Sequence, residues 1–400
     1  MPDSIRPKTL QALGLTYAPI NFDSSSFYLE LASKYALEEH DSLTYARSLN
    51  SLGVAYFYIS EFDISNSFYK RAVKVFSTLE RSKSEALVYN NIGINYQNKG
   101  QYDSAKFYYR KSLDLKTSDP EKIDSLSISY SYHSLGVLFL DEGKYDSALV
   151  SFKRVMDIRR RINSPPQLLA EVATNFGIIF TKYGNYSLAL EYYLEALSIY
   201  ESIDNMIDKA KVLKNLGDLF SLQNNFSKAL NYHQQALSVR EKLGDQAGLA
   251  TSYLAIAIIN NSQGKKEEAR RNAWVSLKKE RLLGRTCKQV ECLDVLTSIS
   301  LEDGQIDSAQ IFIDQAVGLV EECNSLTLET IIDFNKAKLA VKKEGFAKAV
   351  KGFKKVYDVS SANDYYDLQK ESAKHLFEAY KQIGDENKAL KYHEIYHQIY

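Results

Sequence analysis

The chain has 400 residues, with 50 Lys and Arg balanced by 50 Asp and Glu. Zero net charge leaves no basic surface to attract nucleic acid or an anionic membrane, so neither is expected as a partner. Six prolines and 29 tyrosines suit long helices with amphipathic rings at their interfaces, and three cysteines are too few for a disulfide framework.

From the N-terminus, MPDSIRPKTLQALG lacks the apolar core of about 7–15 residues that marks a signal peptide. The longest apolar stretch, Tyr253–Ile259, is far short of the ~20 residues a membrane span needs. A soluble chain without a span is expected. The compartment stays open between the cytoplasm and a periplasm reached by a signal since removed.

One pattern recurs along the chain. Leu13 and the segment NFDSSSFYLELA (21–32) form a faint first copy. Small residues then follow at Gly53, Gly93, Gly136, Gly177, Gly217, Ala257, Thr297 and Ala337, with Phe377 last, spaced by 40, 43, 41, 40, 40, 40, 40 and 40. The expectation is one domain over 1–400, with a degenerate unit over 1–40 and nine units of about 40 residues over 41–400.

Within a unit the apolar residues keep the helical period: Leu135, Leu138 and Phe139, then Tyr145, Ala148, Leu149 and Phe152. Gly143 interrupts them and can supply the positive φ of a helix end. Asp103, Asp146 and Asp307 begin the second helices, where a carboxylate meets orphan N–H groups and the dipole. Each unit therefore reads as a helix–turn–helix hairpin. Gly93, Gly136 and Gly177 let the second helix approach, and Ala105, Ala148, Ala189 and Ala229 return the favour. Tyr69, Tyr109, Phe152 and Tyr193 fill the gap to the next unit. Units without the first glycine are expected to hold their helices further apart. So short a hairpin cannot bury its apolar face alone, so the units stack.

Chemistry-bearing motifs are few. His393-Glu394-Ile395-Tyr396-His397 matches H-E-x-x-H, whose histidines share a helix face and can hold zinc. His393, however, takes the slot of Tyr193 and His233, and no third ligand follows. A packing or surface histidine is the reading, with no metal and no cofactor. His40, His133, His233 and His375 lack ligand-like spacing, and no phosphate loop or nucleophile elbow occurs. A non-catalytic chain is expected. Cys287 and Cys323 lie at similar distances from the turn at Gly304, so they are either separate thiols or, in an oxidising compartment, a bridge.

The pattern Leu-Gly-x-x-Tyr/Phe, then Gly-x-Tyr-x-x-Ala and an aromatic, resembles the tetratricopeptide repeat. Its period is similar to that of the kinesin-light-chain and spindle-orientation subclass. The resemblance implies an all-α, right-handed superhelical solenoid of about ten units, whose concave groove of first helices binds a protein or peptide. Carried over, the groove residues are Arg47, Asn50, Val54, Phe57 and Tyr58, then Leu87, Asn90, Ile94, Gln97 and Asn98. Tyr130, His133, Val137, Leu140 and Asp141 follow, then Glu171, Thr174, Ile178 and Lys182, and Lys211, Lys214, Asp218 and Ser221. Asn50 and Asn90 share one slot and can both donate and accept toward a peptide backbone. The carboxylate clamp of chaperone-binding relatives is not expected. Lys214 fits it, but Asp218, Ala255 and Glu291 do not. The opening units also resemble sensor regions of bacterial signalling proteins. A sensory or regulatory scaffold is expected, with a self-contained cytoplasmic adaptor and a structural solenoid as alternatives. Tyr400 falls inside a second helix, so uncapped terminal repeats and self-association through them are further expectations.

Overall fold

The computed structural model describes residues 6–118, 124–323, 325–363 and 365–398. The expectations for residues 1–5 and for Tyr400 lie outside them. Among the described residues there are twenty helices and no strand. The chain divides into two compact units, Met1–Ile199 and Tyr200–Tyr400.

The first unit contains α1 (Arg6–Tyr17), α2 (Phe22–Glu38), α3 (Ser42–Tyr58), α4 (Phe62–Thr78), α5 (Ser82–Asn98), α6 (Tyr102–Thr117), α7 (Ser125–Asp141), α8 (Tyr145–Arg161), α9 (Pro166–Lys182) and most of α10 (Tyr186–Ser202). The second contains α11 (Met206–Leu222), α12 (Phe226–Leu243), α13 (Gln246–Ser262), α14 (Lys266–Leu282), α15 (Thr286–Glu302), α16 (Ile306–Cys323), α17 (Leu326–Glu344), α18 (Phe346–Ala362), α19 (Tyr366–Gln382) and α20 (Glu386–Gln398). In each, consecutive helices pair as hairpins, and the hairpins stack in chain order.

The hairpin turns are made by left-handed residues. Gly100, Gly143, Gly184, Gly264 and Gly304 all have φ near +70°. The turns into the next pair more often use His40, Glu80, Asn163 or Asp204, which accept the strain of a positive φ. The capping expectation needs correction. α6 and α8 start at the aromatic residue and α16 at Ile306, so Asp103, Asp146 and Asp307 lie in the first turn and act on the dipole; the N-caps of α6 and α8 make no side-chain bond. Side-chain caps occur on both helices of a hairpin: Asp41 accepts from the Thr44 N–H, Asp124 from Ser127 and Asn205 from Asp208 on first helices, and Asn21 from Ser24 and Asn225 from Lys228 on second helices.

The glycines work by close approach to a ring of their own hairpin. A Cβ on Gly53 would lie 2.4 Å from the Tyr69 ring, on Gly93 2.5 Å from Tyr109, and on Gly177 2.4 Å from Tyr193. The rings therefore seal the hairpin first. Some also reach the next pair, as Phe152 does edge-on to Phe176. In the first hairpin the register is shifted by one. Gly14, against Leu29, is the close-packed residue, and Leu13 is exposed. Where the first-helix glycine is missing, its partner changes. Ala257 packs in one cluster with Ala273, whose slot elsewhere holds a ring. At Ala337 the glycine has moved to the second helix, where a Cβ on Gly352 would sit 2.9 Å from the Ala337 Cβ.

A second repeated device is polar. Near the end of several second helices, one slot buries a cation that reaches into the next first helix. Lys116 Nζ donates to the Ser127 carbonyl (3.0 Å) and to Ser131 Oγ (2.7 Å). Arg159 donates to the Leu168 carbonyl (2.6 Å) and to Glu171 (2.9 Å). In the second unit, Arg240 donates to the Gly248 carbonyl (2.9 Å) and to Ser252 Oγ (2.6 Å). Arg159 is fully buried, and burial pushes the Lys116 ammonium down to about 8. Other units fill the same slot with Phe76 or Val320. Glu280 reverses the polarity and accepts two bonds from Arg285.

Candidate functional site

Within each unit, successive first helices meet directly: α1 with α3 and α5 with α7 in one, α13 with α15 and α15 with α17 in the other. Successive second helices come less close. The expected groove residues lie on the first helices.

In the first unit these residues are tied to one another. Asn91 Nδ2 donates to Asn50 Oδ1 at 3.2 Å, and Asn175 Nδ2 bonds His133 Nε2 at 3.2 Å. Asn50 thus has its acceptor engaged and its amide N–H groups to offer. Asn90 is the converse, with its buried Oδ1 unpaired. Gln97 is committed: it donates to Asp141 at 2.6 Å and accepts from the Tyr109 hydroxyl at 2.6 Å. Thr174 bonds its own helix at the Ala170 carbonyl, and Asn98 likewise bonds Ile94. Val54, Ile94 and Val137 are half-buried, at the edges of the hydrophobic clusters. Phe57 is half-buried, while Tyr58, Asp141 and Lys182 are exposed. Arg47 stands apart from the row, beside Arg81, Lys83 and Lys116 at a cavity of about 500 Å³ by the starts of α3, α5 and α7. Burial holds the His133 imidazole below its ordinary pKa, against the pull of Glu171 at 3.5 Å.

In the second unit, Asp218 ion-pairs with Lys214 and lies 3.5 Å from His233 Nε2. The one lysine that suited a carboxylate clamp is thereby neutralised. His233 occupies the ring slot against Gly217, 1% exposed, with Nδ1 unpaired. Burial pushes it down to about 4. The unfolded chain, with a histidine pKa near 6.5, binds the proton first as pH falls. Stability from this site is therefore full above pH 6.5 and lost toward pH 4, by roughly 3 kcal/mol. His233→Tyr, which restores the ring of neighbouring units, is expected to flatten the denaturation midpoint between pH 6.5 and 4. An unchanged slope would disprove this.

The same helix-to-helix bond recurs further along, where Asn335 Nδ2 donates to Asp294 Oδ1 at 2.6 Å. These two residues line a cavity of about 590 Å³ between α15, α17 and the start of α19. The sequence reading missed this place, as it missed Asn91 and Asn175. The available signal was an amide or acid recurring at adjacent first-helix slots.

His393 and His397 face each other at 3.2 Å, and His393 packs on Phe377. Among the described residues, no three His, Cys, Asp or Glu side chains are grouped to hold a metal ion. Cys287 and Cys323 are free thiols at the edge of one cluster. Burial and the neighbouring Cys287 push Cys323 up to about 12. Among the described residues, no helix is long and apolar enough to cross a membrane.

A family model described as "Tetratricopeptide repeat" matches residues 44–118, 127–202 and 208–273. No curated protein matches the chain. Among solved structures, a Rap protein complexed with Competence and Sporulation Factor is 14% identical with TM-score 0.64, covering 88% of this chain and 97% of its own. The apo quorum sensor NprR from B. thuringiensis is 11% identical with TM-score 0.63, covering 82% and 93%. A signal-transduction ATPase with a tetratricopeptide-repeat sensor, from Pyrococcus horikoshii, is 15% identical with TM-score 0.57, covering 87% of this chain and 55% of its own. At such identities the likeness is one of fold.

Proposed function

The chain belongs to the tetratricopeptide-repeat family, and from that premise we propose that it is a peptide-binding or protein-binding scaffold working through its first-helix face. The observation that carries the reading is the row of polar side chains pre-aligned by bonds between neighbouring first helices. Asn50 with Asn91, His133 with Asn175, and Asp294 with Asn335 repeat the same link. A side chain held in this way loses little rotamer freedom on binding, so its remaining donors or acceptors meet a peptide backbone at low entropic cost. The unbroken period on either side of residue 200 supports reading 1–400 as one repeat domain.

The finer reading is a sensory or regulatory module of a bacterial signalling protein rather than an enzyme. It is supported by the fold shared with a Rap protein complexed with Competence and Sporulation Factor and with a quorum sensor. A self-contained adaptor remains the alternative for the same surface.

The test uses the partner recovered by pull-down with the intact chain. Asn50→Ala/Asn90→Ala removes two amides that lie outside the core. A buried peptide group left unpaired costs ~1–3 kcal/mol, so affinity should fall roughly tenfold or more. Lys153→Ala, on an exposed part of α8, is the control. Equal binding by the double variant and wild type would move the interaction off this row.

A further inference from the structure

The cavity of about 590 Å³ in the second unit is distinguished by its carboxylate. Asp294 is partly buried on the first-helix face and accepts one short bond, from Asn335 to Oδ1. Among the described residues, Oδ2 has no partner. Burial pushes the carboxyl above the ordinary carboxylate range, opposed by the Asn335 bond and by Lys338. The carboxylate lines the cavity with its second oxygen free to accept from a cation or a further donor.

The walls fit a cation with an apolar stem. Phe334, Tyr365 and Tyr366 line the cavity together with Ile331 and Leu368. Aromatic faces attract a guanidinium or ammonium, and apolar walls take the methylene chain behind it. The charged groups around Asp294 are Lys338 and Asp367 on the cavity wall and Glu291 nearby. Lys338 lies over the Phe334 ring at 5.6 Å, and no ion pair joins it to Asp294. The cavity thus presents two opposite charges held apart. The volume lies in the range of about 300–1,000 Å³ typical of sites that enclose a small ligand or a few side chains.

We propose that this cavity seats a single basic side chain of an extended peptide, with its cationic head on Asp294 and its stem along Phe334, Tyr365 and Tyr366. The inference rests on the peptide-binding reading above and specifies which peptides the face selects. Lys338 sets the second half of the preference. It repels an adjacent cation and favours a carbonyl or carboxylate one residue away, so singly charged segments are selected over polybasic ones.

The experiment uses the full chain and libraries of acetylated, amidated hexapeptides. Each library fixes one position as arginine, citrulline, leucine or glutamate and randomises the rest. Citrulline keeps the shape of arginine without its charge. Retained peptides are quantified by mass spectrometry. Wild type should retain the arginine library over the citrulline library by about tenfold at one position, the ratio of a charge-assisted bond to a neutral one. Asp294→Asn keeps the side-chain volume and should erase that ratio. Lys338→Met should raise retention of peptides with two adjacent basic residues. Equal retention of arginine and citrulline by wild type, or an undiminished ratio in Asp294→Asn, overturns the proposal while leaving peptide binding intact. Retention of no library overturns the broader reading and this one with it.

Discussion

Arg159→Met is expected to destabilise the first unit by roughly 3 kcal/mol or more, the cost of breaking a buried ion pair on one side. The guanidinium is fully buried at the end of α8. It bonds the Leu168 carbonyl and Glu171 on α9 and lies over the Tyr130 ring at 5.4 Å. Methionine fills much of the volume but leaves the carbonyl without its donor. Glu171, whose side chain is 41% exposed, can turn to water, which holds the loss toward the lower end of the range. Arg159→Lys should cost less, because Lys116 fills the equivalent slot and reaches a carbonyl of the same kind. Urea denaturation followed by far-UV circular dichroism reads both variants. If Arg159→Met leaves the midpoint unmoved, the buried cation is not a clasp between hairpins.

Phe152→Ala should cost roughly 3–5 kcal/mol, as removal of a buried phenyl ring usually does. The ring is 0% exposed and centres a cluster with Ala148, Val155, Val172 and Phe176. It rests on Gly136, where an added Cβ would lie 2.9 Å from the ring. Gly136→Ala alone should therefore destabilise, although alanine in an open helix is better than glycine by ~1 kcal/mol. Together the two changes should cost clearly less than their sum, because the new methyl enters the space the ring has left. The pair Ala257 and Ala273 is this arrangement already present in the chain. Additive losses in the double-mutant cycle would show that ring and glycine are not partners.

The sequence by itself determined the repeat. A glycine or alanine every 40 or so residues, a breaker between two helical periods and a ring at a fixed offset leave a stacked hairpin as the way to bury the apolar face. Because the period is local and recurs, each copy corroborated the others. It also placed HEIYH in a packing slot: His393 sits on Phe377 as Tyr193 and His233 sit on glycine. Which residues share a first-helix face was legible for the same reason, since one face of a helix follows from its period.

What the sequence could not decide is how polar groups are shared between hairpins. Asn50 and Gln97 were expected as groove residues, yet Asn91, Asp141 and Tyr109 take up part or all of their bonding. Those partners lie on other helices, and their approach depends on how closely first helices pack. The clasps of Arg159 and Lys116 had no sequence signal, because local sequence does not tell a helix end in water from one covered by the next hairpin. The cavity at Asp294 is likewise a gap between three first helices, α15, α17 and α19, and belongs to none of them. Helix periodicity fixes which face a residue occupies. Only the stacking decides whether that face meets water, a neighbour's hydrogen bond or an unfilled space, because burial and hydrogen-bond satisfaction are properties of the contact between units.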